Sequence, residues 1–134
     1  MASANIKTAN SKAPEKVYLN AYAECGSSET EKYLENQVNA KLRSMSIAGR
    51  DLKIKCNTVS YDEGNRFARY MIGFGAGAAS SVIDIRLIDD NGNEINKFEI
   101  TTKLSMGAFG GSDKNMLDVA ADKIVKHIKE NYIK

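Results

Sequence analysis

SVIDIRLIDDNGNEINKFEITTKL, residues 81–104, decides the fold. Ser81, Ile83, Ile85 and Leu87 fall on one phase of a period-two pattern, with Val82, Asp84 and Arg86 on the other. This is the signature of a half-buried strand. Asp90-Asn91-Gly92-Asn93 follows, and Asn and Gly tolerate the positive φ of a tight turn. Phe98, Ile100, Thr102 and Leu104 then resume the apolar phase. The stretch predicts an antiparallel hairpin with one polar face.

Upstream of it, Val17, Leu19, Ala21, Ala23 and Cys25 alternate with Tyr18, Asn20, Tyr22 and Glu24, which predicts a strand over Lys16–Cys25. Ser28 and Glu31 stand at capping-box spacing. Behind them Tyr33 or Leu34, Val38, Leu42 and Met45 recur at helical spacing, and Gly49 is placed to end the helix. Leu52, Ile54 and Cys56 form a second strand against Lys53, Lys55 and Asn57. A last helix begins near Ser112 or Asp113, with Leu117, Ala120, Ala121, Ile124, Ile128 and Tyr132 as its buried stripe. The order reads βαβββα. A strand–helix–strand crossover makes the first two strands parallel. The expected fold is an α/β (α+β) two-layer sandwich: a four-stranded mixed sheet with two helices on one face.

The chain has 134 residues, 43% apolar and 27% charged, with a net charge of +2. That length makes one domain able to bury a core. The charge is too small to imply nucleic acid or an anionic membrane by itself. Residues 1–14 are small, polar and lysine-dotted and read as a disordered lead-in, leaving 15–134 as a single domain. With no apolar stretch there to act as a signal peptide, the chain looks cytoplasmic, or like a mature domain whose export signal was replaced by a start Met.

Enzyme chemistry is poorly supplied. His127 is the single histidine and flanks a helix stripe. Asp84, Asp89 and Asp90 are strand-face and turn residues, and no paired carboxylates are placed in a cleft. Neither cysteine has a CxxC partner, so no zinc site is expected. Cys25 and Cys56 both lie on apolar phases. Two readings stand open: free thiols packed as small hydrophobes, or a disulfide between neighbouring strands in an oxidising compartment.

Two segments offer contact surfaces. Between Asp62 and Ala79, Arg66 and Arg69 flank Phe67, Tyr70, Met71, Ile72 and Phe74, with Gly73, Gly75 and Gly77 alternating after them. The glycines run into a strand, whereas a phosphate loop runs into a helix whose amides hold the anion, so no nucleotide is expected. Arg66, Arg69, Gly73, Phe74, Gly75 and Gly77 instead suit a protein partner or a membrane surface. The alternative there is a helical turn over residues 65–72 folded back on the sheet. The second surface pairs Tyr18 and Tyr22 with Lys53 and Lys55 on the open sheet face, the ingredients of a base-stacking platform. It ranks below the first, because such residues are ordinary on a solvated face.

Gly64-Asn65-Arg66, Arg69 and Gly73-Phe74-Gly75-Ala76-Gly77, followed by the strand ending Leu87-Ile88-Asp89 and a turn glycine, resemble a bacterial family defined only as a domain of unknown function. Many of its members are predicted envelope lipoproteins. The resemblance runs from Val17 to the last helix. It implies the mature part of an exported protein, although the chain lacks a signal peptide and a lipid-bearing cysteine near its start. Export would favour the Cys25–Cys56 disulfide. The resulting expectation is a cell-envelope, lipoprotein-like domain on the periplasmic side, without cofactor. It acts by binding a protein partner or itself through segment 64–77, and not by catalysis. The alternative is a cytoplasmic nucleic-acid-binding module using the tyrosine–lysine face, and a small enzyme comes third.

Overall fold

The computed structural model describes residues 2–8, 12–62, 79–104 and 113–134. Five strands form one sheet: β1 (Ala2–Lys7), β2 (Ala21–Cys25), β3 (Leu52–Asp62), β4 (Ala79–Asp89) and β5 (Glu94–Leu104). Among the described residues two helices, α1 (Glu29–Ser44) and α2 (Asp113–Tyr132), accompany the sheet. The spatial order is β1-β5-β4-β3-β2, parallel only between β2 and β3.

The sheet therefore has five strands among the described residues where the sequence indicates four, and the described elements run ββαβββα. The fifth is β1, inside the expected lead-in, paired antiparallel with β5 from Ala2↔Leu104 to Lys7↔Glu99. Ala4 is buried and Ile6 half-buried on the helix side. The expected strand over Lys16–Cys25 also shortens, to Ala21. Ahead of it Tyr18 bridges to Ile133 at the end of α2, and Leu19 is 65% exposed. Alternation alone could not place Val17 and Leu19, because the C-terminus draws the chain off the sheet at Tyr18.

The β4–β5 hairpin forms as its sequence demands. Asp89 N–H donates to the Asn93 carbonyl at 2.9 Å, and Gly92 takes φ +87°. The Asp89 carboxylate accepts from the Asn91 and Asn93 amides at 3.0 and 2.8 Å. α1 opens on the capping box: Ser28 Oγ accepts from Glu31 N–H at 3.1 Å, and Glu31 Oε1 accepts from Ser28 N–H at 3.3 Å. It ends at Met45 and not at Gly49. Ser46 takes the left-handed turn at φ +59°, while Gly49 is required for space, since a Cβ there would strike the Asn20 side chain.

Both helices cover one face. Leu34, Val38 and Leu42 of α1, with Leu117, Ala120, Ala121, Ile124 and Ile128 of α2, meet Ala23, Leu52, Ile54, Ile83, Ile85, Leu87, Phe98 and Ile100 of the sheet. The hydroxyls of Ser81 and Thr102 hydrogen-bond to each other within this layer. Cys25 and Cys56, direct partners in the β2–β3 register, are joined as a disulfide with Cα atoms 4.4 Å apart. The sheet also has two distinct ends. Asp62↔Ser80 and the run Ala2↔Leu104↔Ala79 lie at one. The hairpin turn, Leu52 and the C-terminus beside Tyr18 lie at the other.

Candidate functional site

Arg66, Arg69, Gly73, Phe74, Gly75 and Gly77 lie outside the described residues. What is placed is where their segment leaves and rejoins the sheet: Asp62 and Ala79, at the end where β1 begins. The described surface of greatest consequence is the pair of sheet edges.

An edge strand presents unpaired N–H and C=O groups on its outer side, a template for another strand. On β2 these groups are already engaged. Ala21 N–H donates to the Ile47 carbonyl, and Gly49 N–H donates to the Ala21 carbonyl, both at 2.9 Å. Asn39 spans Ala23 with both ends of its carboxamide: Oδ1 accepts from Ala23 N–H at 2.7 Å, and Nδ2 donates to the Ala23 carbonyl at 3.0 Å. Glu35 Oε1 accepts from Cys25 N–H at 2.7 Å. β2 then stops, and Glu31 continues the series on β3, its Oε2 accepting from Thr58 N–H at 2.8 Å.

Glu31, Glu35 and Asn39 are spaced by four on α1, so they line one flank of the helix beside its apolar stripe. Sequence reading singled out Glu31 only for its capping spacing with Ser28, and neither Glu35 nor Asn39. Their signal was available: a polar row at i, i+4, i+8 immediately beside Leu34 and Val38. Glu31 is buried, and its carboxyl is held below the usual range by the Thr58 backbone bond, with the Ser28 bonds adding to it against the opposing effect of burial. Gly26 permits this approach, since a Cβ there would collide with the Glu31 carboxylate.

The β1 edge differs. Among the described residues, no backbone or side-chain group hydrogen-bonds to its outer side. The chain is instead fixed after the strand. Asn96 Oδ1 accepts from Lys12 N–H at 2.9 Å, and Asn96 Nδ2 donates to the Lys12 carbonyl at 2.9 Å and to Tyr132 Oη at 2.7 Å.

The open sheet face separates the two tyrosines. Tyr22 stays there, opposite Lys53, with the Arg50 guanidinium 5.5 Å above its ring. Tyr18 lines a different cleft of about 350 Å³ with Lys12, Glu15, Asn96 and Tyr132. Burial, then the nearby Asp89, Asp51, Glu15 and Asp90, push its phenol up. Lys97, Arg86 and Lys55 stand opposite one another across β5, β4 and β3, but the neighbouring row opposes Asp84 to Glu99. Cation and anion rows alternate, and Lys53 and Arg86 pair with Glu24 and Glu94 at 3.7 and 2.9 Å. The face presents no single-sign field.

His127 is half-buried with its ring 4.7 Å from that of Phe98, and burial pushes its pKa down against the pull of Glu130. Its described polar neighbour is the amide of Asn131. Among the described residues no cluster of three His, Cys, Asp or Glu could hold a metal ion, and no helix is long and apolar enough to cross a membrane.

Among solved structures, the fold is similar to the PelC dodecamer from Paraburkholderia phytofirmans. A point variant of PelC matches with a TM-score of 0.60 at 13% identity, over 100% of this chain and 99% of that one. A second crystal form matches at 0.53 and 13%, over 100% of both chains. A minor lipoprotein from Acinetobacter baumannii matches at 0.51 and 15%, over 86% of this chain and 93% of that one. No protein of curated function matches by sequence. Residues 3–108 match the family described as a domain of unknown function, DUF4410. That match spans β1 to the end of β5 and most of the chain: this protein belongs to the DUF4410 family.

Proposed function

We propose that the domain works at the cell envelope by binding and self-assembly and not by catalysis, with segment 64–77 as a contact region. The full-length likeness to a protein that is a dodecamer carries this reading. The lipoprotein among the similar structures supports the envelope side of it. In segment 64–77, Arg66 and Arg69 supply charge-assisted hydrogen bonds, and Gly73, Gly75 and Gly77 allow close backbone approach.

The test is cross-linking in intact source cells followed by fractionation. A ladder of multiples of the chain in the envelope fraction is expected. Arg69→Ala should weaken that ladder while the purified variant keeps a cooperative thermal transition. A monomer confined to the cytosolic fraction would sink the proposal. The rival reading, nucleic-acid binding through the Tyr22–Lys53–Lys55 face, makes a different demand: affinity for an oligonucleotide falling steeply with salt. The alternating charge rows on that face weigh against it.

A further inference from the structure

We infer that the outer edge of β1 is the docking site for a second copy of this chain, the two β1 strands running antiparallel about a twofold axis. The inference rests on the self-assembly reading and adds a second surface to segment 64–77. Two five-stranded sheets then join into one of ten.

The first argument is elimination between edges. A strand added to β2 would find the outward groups of Ala21, Ala23 and Cys25 already bonded to the 47–49 loop, Asn39 and Glu35. A head-to-tail join of β1 to a neighbour's β2 is blocked for the same reason. Among the described residues two stretches show no outer partner, β1 and β3 beyond Thr58, and only β1 is a regular ladder, since the register of β3 shifts between Thr58 and Ser60. β1 joined to the partner's β1 makes a twofold pair, which closes on itself, whereas a head-to-tail join propagates until it closes into a ring or runs on as a fibre.

The second argument is the fit of β1 to itself. Antiparallel pairing sets same-face residues opposite each other. Centred on Ala4, it places Ala4 against the partner's Ala4, a small pair that hinders no close approach. Ala2 falls against the partner's Ile6, and Ser3 against the partner's Asn5. Ile6, half-buried in the single copy, gains cover on its open side. The helix-side face stays apolar and the open face polar across the join. Lys7 falls outside the paired stretch, so no like charges are opposed. Nothing in β1 (no proline, no inward charge, no bulge) guards the edge against such pairing.

The test uses the full chain with Asn5→Cys. The native cysteines are bonded to each other, so a nitroxide reagent labels position 5 alone. In the twofold pair the two labelled Cα atoms lie roughly 8 Å apart, two residues along and one strand across. Sedimentation velocity and the electron paramagnetic resonance spectrum are read on the same sample. An assembly whose spectrum is dipole-broadened, and which sharpens on mixing with excess unlabelled protein, supports the inference. An assembly with an unbroadened spectrum overturns β1 docking and leaves self-assembly standing on another surface. A monomer at every concentration overturns both. Should Asn5→Cys fail to melt cooperatively, Ser3→Cys sits symmetrically across the centre and carries the same expected spacing.

Discussion

The two edges of this sheet are both short strands, yet the chain treats them oppositely. β2 has five residues, a parallel partner, a disulfide to that partner and a helix flank that engages its outer amides and carbonyls. β1 has six residues, an antiparallel partner and, among the described residues, a clamp only on the chain that follows it. A fold with both edges sealed would resist pairing of any kind. A fold with both open would risk indefinite growth. Sealing β2 directs strand addition to the other side, and the 47–49 loop achieves it together with Asn39 and Glu35 of α1, which also help to set the helix against the sheet.

The sharpest way to break the contrast is to unbolt β2. Replacing Cys25 and Cys56 by serine removes a cross-link of sequence separation 31, which should cost about 3–4 kcal/mol by chain entropy. Urea denaturation of the variant and the parent measures it. An unchanged midpoint would show that the cross-link contributes nothing to holding the edge.

Next is the clamp on the open side. Asn96→Ala removes the bonds to Lys12 and Tyr132 from a buried position and should cost roughly 2–3 kcal/mol. Hydrogen exchange should quicken in β1 before it does in β2. Asn39→Ala, at roughly 2 kcal/mol, leaves the outer N–H and C=O of Ala23 without partners and opens the sealed edge. Species larger than the parent's assembly should appear as concentration rises. A variant that is destabilised but keeps the parent's mass would show that Asn39 serves folding alone.

A smaller effect comes from the tie between the two helices. Tyr33 Oη donates to Asp118 at 2.7 Å, and that bond, with burial and the charge of Asp118 adding to it, pushes the phenol up to about 12. Tyr33→Phe should cost about 1 kcal/mol. Because the folded pKa is raised, this contribution is complete below pH ~10 and fades as pH climbs through about 12. In Tyr33→Phe that alkaline loss should shrink.

The gentlest test separates the edges by acid. His127, packed on Phe98 under the β5 side, has a lowered folded pKa, so the unfolded chain takes the proton first. Its contribution is present above pH ~6.5 and declines below it. Glu31 on the sealed side also has a lowered pKa, and its contribution holds above pH ~4.5 and is lost as pH falls through the folded value. Thermal midpoints should therefore fall in two stages, the upper stage absent in His127→Gln and the lower in Glu31→Gln.

How much of this was legible follows from where each signal is written. The hairpin, the capping box, both helix stripes (apart from Met45, which caps α1 and is exposed) and the parallel β2–β3 pair are encoded in local periodicity and turn chemistry. β1 is not. Ala-Ser-Ala-Asn-Ile-Lys has one bulky apolar residue, and its strand exists because β5 offers an edge almost a hundred residues later. Gly49 was read as a helix stop because glycine commonly serves that purpose, yet here it makes room for Asn20. Glu31 was read for its cap with Ser28, and Glu35 and Asn39 drew no reading, because only the position of β2 and β3 gives that flank of α1 its partners. Of the contact residues read from sequence, Tyr18 and Tyr22 are parted by the C-terminus, and Arg66 to Gly77 lie outside the described residues.

The two ends of the sheet carry a mechanical consequence. Ala2 sits at the end where Asp62, Ala79 and Leu104 meet, and the C-terminus sits beside Tyr18 at the opposite end. A tether pulling ahead of Ala2 against a load on the C-terminus would draw along the strands, so β1 would have to slide past β5 with its bonds loaded together instead of peeling one at a time. The same tether would hold the departure points of segment 63–78 next to whatever surface it is fixed to.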